Sequence, residues 1–87
     1  MANTIPVQAE GDQRPDLRFR DLDNLGLTMW SKWRSAKGAL VVLVYRCRDI
    51  HGIAQEMELL DVQRETIAKA HARDVVAWIQ KGWMTRQ

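Results

Sequence analysis

One cysteine, Cys47, is all the chain has, so no intramolecular disulfide can form and nothing points to an oxidising compartment. Proline is almost as scarce: Pro6 and Pro15 both fall in the opening stretch, and none interrupts the chain after Pro15. The five glycines stand apart from one another, which excludes a glycine-rich phosphate loop. Long apolar runs are missing too. The longest, Ala39 to Tyr45, falls far short of the roughly 20 residues a bilayer span needs. No positive segment followed by an apolar run opens the chain, so nothing marks it for export, and a soluble cytoplasmic protein is the expectation. His51, His71 and Cys47 are the soft metal-ligand candidates, and none has a partner at a ligand spacing. No metal site, cofactor or catalytic constellation is therefore expected, and the chain reads as a non-enzyme.

Acid is absent from one whole stretch. Between Asp23 and Asp49 there is none, while Lys32, Arg34, Lys37, Arg46 and Arg48 all lie there. From Asp49 to Glu65 the sign reverses, with Asp49, Glu56, Glu58, Asp61 and Glu65 against Arg64 alone. The net charge is only +2, well short of an obligate nucleic-acid binder, but the charge is two-sided along the chain.

What the sequence does have is helical periodicity. Over Val62 to Lys81, a line of Arg64, Ala68, Ala72, Val75, Ile79 and Trp83 is flanked by Ile67, His71, Trp78 and Val76, with a wet face opposite. Asp61 is an N-cap type before this helix. Gly82 supplies a left-handed stop, with Trp83 folding back on Trp78 in a Schellman-type end. Leu22, Leu25, Gly26, Met29, Trp30 and Trp33 repeat at three and four, which predicts a first helix from Asp21 to Ala36 stopped by Gly38; a break at Gly26 with a fresh start at Thr28 competes with it. Leu40, Leu43, Cys47, Ile50, Ala54 and Met57 hold heptad spacing, which predicts a second helix from Ala39 to Leu60 bent at Gly52. The expected fold is all-α: a flexible N-terminal arm over 1–16, polar and without apolar period, and a small three-helix bundle over 17–87. The alternative is α+β, with a short strand at 40–45, where Val41, Val42, Val44 and Tyr45 suit a sheet, paired with Leu17 to Leu22.

These features favour a small regulatory, inhibitor or adaptor protein that acts by binding another protein, with a homodimer as one form. The partner-binding candidates are Trp30, Trp33, Arg34, Lys37 and Trp83, aromatic rings interleaved with cations. The plainer reading of the two middle tryptophans is that both are core and the cations only rim them. A DNA-binding regulator is the alternative. It would use the basic residues Lys32, Arg34, Lys37, Arg46 and Arg48, and a degenerate helix-turn-helix over Ile53 to Ala70 that presents Gln63, Arg64 and Thr66.

Overall fold

The computed structural model describes residues 16–87 and overturns the helical bundle. Two short helices, α1 (Phe19–Asn24) and α2 (Ala72–Gln80), lie with five strands: β1 (Lys32–Ser35), β2 (Leu40–Arg48), β3 (Ala54–Asp61), β4 (Thr66–His71) and β5 (Met84–Arg86). The strands form one antiparallel sheet in the order β4-β3-β2-β1-β5. The arm expected over 1–16 lies, but for its last residue, outside the described residues. No helix among the described residues is long and apolar enough to cross a membrane.

The first helix expected to Ala36 ends at Asn24 instead. Its C-terminus closes with the Leu27 amide on the Leu22 carbonyl (2.8 Å) and the Gly26 amide on Asp23 (2.9 Å), the paired bonds of a Schellman end. The helix expected over Ala39 to Leu60 is a two-stranded hairpin, β2 and β3, that reverses at Asp49–Ile53 rather than bending at Gly52. Its Gly52 has φ +82°, and the Gly52 amide donates to Asp49 across a tight turn (3.0 Å). The alternative's strand at 40–45 falls inside β2, but β2 pairs with β1 and β3 and not with residues 17–22.

Heptad spacing misleads here because β2 is apolar on both faces. Val41 and Leu43 point to the core, while Leu40 and Val42 point away from it, so several periods fit the same run. β3 carries a cleaner signal. Met57 and Leu59 are buried and alternate with Glu56 and Glu58, a period of two. In the last third of the chain, β4 takes Thr66–His71 and only Ala72–Gln80 is helical, with Ala72, Val75 and Val76 buried. Asp61 caps amides as its residue type suggests, but those of a turn: its Oδ1 accepts from Gln63 and Arg64, both at 3.1 Å. Gly82 and Trp83 do end the helix in the expected way, the Trp83 amide reaching Trp78 (2.8 Å) and the Gly82 amide Ile79 (3.0 Å).

Both helices lie on one face of the sheet. α2 leaves β4 at one edge and delivers the chain to β5 at the other, touching β3, β4 and β5 on the way. It therefore crosses the sheet as a diagonal, from the end holding the β2–β3 turn to the end holding the β1–β2 and β3–β4 turns. The diagonal divides that face in two. The half nearer the β2–β3 turn is filled by α1 and Leu27, with Leu22 and Leu27 fully buried. Arg46 seals it: Nη1 lies 2.7 Å from Asp23 Oδ1 and 2.8 Å from the Leu27 carbonyl, and its guanidinium stacks 4.3 Å over the Phe19 ring. The other half has no described element over it.

Candidate functional site

The uncovered half is a groove of about 780 Å³. Val41, Leu59 and Ala68 of the sheet make its floor, Trp78, Trp83 and Met84 its wall, and the turns holding Lys37 and Gln63–Arg64 its rim. Its volume falls in the ordinary range for ligand sites.

Local sequence explains each part. Ala68 and Ala70 face the helix side of β4 in register with Leu59 and Met57, and their small side chains keep the floor low beside α2. The Schellman end of α2 turns the chain so that Trp83, about half exposed, stands beside Trp78 at the mouth. The Trp83 carbonyl accepts from the Ala36 amide (2.7 Å), which ties the wall to the β1–β2 turn. Lys81 Nζ sits 4.7 Å over the Trp83 ring. The rim is cationic: Lys37 and Arg64 line it, and the one acid there, Asp61, is turned to backbone amides.

The candidates from the sequence are thus redistributed. Lys37, Trp83, Gln63, Arg64 and Thr66 come together around the groove, although the sequence pattern assigns them to two different sites. Trp33 does not join them: it is buried, its Nε1 donating to Ser31 Oγ (2.9 Å), so the core reading holds for it. Trp30 does not either, being exposed in a turn outside the groove with φ +67°. The core reading therefore fails for Trp30, and no single helix face carries the pair. The basic run is split. Lys32 and Arg34 lie on the sheet face away from the helices, while Arg46 and Arg48 stack on Phe19 on the helix side. The helix-turn-helix is absent: Ile53 to Ala70 is the β3–β4 hairpin, with Gln63 and Arg64 in its turn and Thr66 opening β4. Sequence reasoning misses Leu59 and Met84 as site residues; Trp78, paired with Trp83 around the glycine stop, is visible in the sequence as a contact residue but reads more plainly as part of the helix end.

Among the described residues no group of three His, Cys, Asp or Glu side chains could hold a metal ion. Compared with protein-family models, curated proteins and solved structures, the chain matches none.

Proposed function

We propose that this is a non-enzymatic, cytoplasmic binding module that acts by taking a large apolar side chain from an acidic segment of a partner protein into the groove beside Trp78 and Trp83. The observation that carries this reading is the groove itself, an apolar floor and aromatic wall under a rim whose cations outnumber its one engaged acid. Tryptophan walls and a charged rim are the usual anatomy of a protein contact site, with anchors at the centre and charge steering at the edge.

The test is a set of short acidic peptides, each with one central Trp, Phe or Leu, titrated into the labelled protein and followed by amide chemical shifts. Shifts should gather on Val41, Leu59, Ala68 and Trp83. Trp83→Ala, at an exposed position, should weaken binding about tenfold or more, and the double variant K37E/R64E should weaken it further at low salt. A mixed-sequence single-stranded oligonucleotide is the competing probe, since Trp83 with Lys81 could also stack a base. Binding of the oligonucleotide but of no peptide would overturn the protein-partner reading.

A further inference from the structure

The sheet has a second face, and no described element covers it. Register fixes its residues, because cross-strand partners share a face. Lys32, Val42, Leu60 and Ile67 lie abreast across β1, β2, β3 and β4. Arg34 and Leu40 form the next row one way; Tyr45, Glu58 and Lys69 form it the other way, with Glu56 and His71 beyond. Tyr45 and Ile67 are exposed, although a lone sheet face in water should alternate toward polar residues.

The charges on this face are ordered. β3 presents Glu56 and Glu58 with Leu60, β2 the apolar Leu40 and Val42 with Tyr45, and β1 Lys32 and Arg34, so three neighbouring strands run from acidic through apolar to basic, with Lys69 of β4 beside Glu58 at the acidic edge. Among the described residues, neither Lys32 nor Glu58 forms an ion pair. A two-fold axis running along β2, between two such faces, lays β1 of one copy over β3 of the other. The same operation lays Val42 against Val42. The basic strand then lies over the acidic one, with Lys32 and Glu58 one row out of step.

We infer that two copies of this chain pack through this face as a symmetric sheet-on-sheet dimer, with Val42 at the axis and Lys32 of each copy over Leu60 of the other, one row from its Glu58. Packed sheets lie about 10 Å apart and same-face rows about 7 Å apart, so a lysine and a glutamate one row out of step reach each other when both side chains are extended. Four strands about 4.8 Å apart and some six residues long give a footprint of roughly 400 Å² per copy. That is small for a specific interface, so the dimer dissociates on dilution. It meets the groove of the opposite face only at Ile67, on the β4 edge, and it stands whether or not the groove binds a protein segment.

Sedimentation equilibrium of the full chain, from micromolar to near-millimolar concentration, should show a monomer–dimer equilibrium. Val42→Asp, which places two carboxylates at the axis, should raise the dissociation constant about tenfold or more. The decisive samples are Lys32→Glu and Glu58→Lys, with far-UV circular dichroism confirming that each is folded. Each alone should be monomeric, because each meets a like charge in the second copy. Mixed in equal amounts they should dimerise again, since the mixed pair sets unlike charges against each other. Wild-type protein that stays monomeric throughout would overturn the inference, as would variants that dimerise alone as well as they do together.

Discussion

Asp49 organises the β2–β3 turn with one carboxylate. Its Oδ1 accepts the amides of Ile53 and His51, both at 2.9 Å, and Oδ2 takes Gln55 Nε2 at 3.3 Å. The Ile53 amide is the main reason its pKa is held below the ordinary value of 3.8, with the His51 amide and the nearby His51 and Arg18 charges adding to the same effect against some desolvation. A carboxyl that binds its proton less tightly when folded stabilises the fold fully above its unfolded value, and that contribution fades as pH falls through the lower folded value. Urea midpoints measured down through about pH 4 and below should therefore drop less steeply for Asp49→Asn than for the wild type. Tyr45 shows the opposite shift on the far face of the sheet. Its phenol is raised first by hydrogen bonding with Cys47 and by that side chain's charge, then by some desolvation, and further by Glu58 and Glu56, which the register sets on the same face as Tyr45.

At the level of elements, α2 depends on how it stops. Gly82 sits at φ +79°, and a Cβ there would meet nothing within 4 Å, so Gly82→Ala tests backbone conformation without a clash. The expected loss is about 1 kcal/mol, read as a lower denaturant midpoint at unchanged slope. Trp83 should become easier to quench as well, because the turn that seats it has loosened. This end of the chain is legible in the sequence: the stripe from Ala72 through Ile79, the glycine stop and the return of Trp83 all hold in the structure. Apart from 40–45, which also reads as a strand and lies inside β2, the strands are not legible, for physical reasons. Glu56, Met57, Glu58 and Leu59 are good helix formers held extended by β2 on one side and β4 on the other, and the Ala68-Lys69-Ala70 run is held by β3. Such pairing is decided by residues distant in sequence, which local propensity does not see. The groove is half legible. Trp83, Lys37 and Arg64 stand out in the sequence, but only the diagonal path of α2 makes them neighbours.

For the whole molecule, topology sets the pace of folding. β1 pairs with β2 across a tight turn, yet it also pairs with β5, Trp33 lying opposite Arg86 near the other end of the chain. Contacts of that separation slow folding, so stopped-flow refolding should take milliseconds to seconds rather than the microseconds of a helical bundle. The same pairing bears on synthesis. The ribosome makes β1 through β4 in order, and each can pair with the strand before it, but the far edge of β1 has no mate until Met84–Arg86 is made. A nascent chain at that stage carries a bare strand edge, the kind that recruits edges from neighbouring chains. Lys32 and Arg34 stand on that strand, and their charges would hold nascent neighbours apart until β5 arrives.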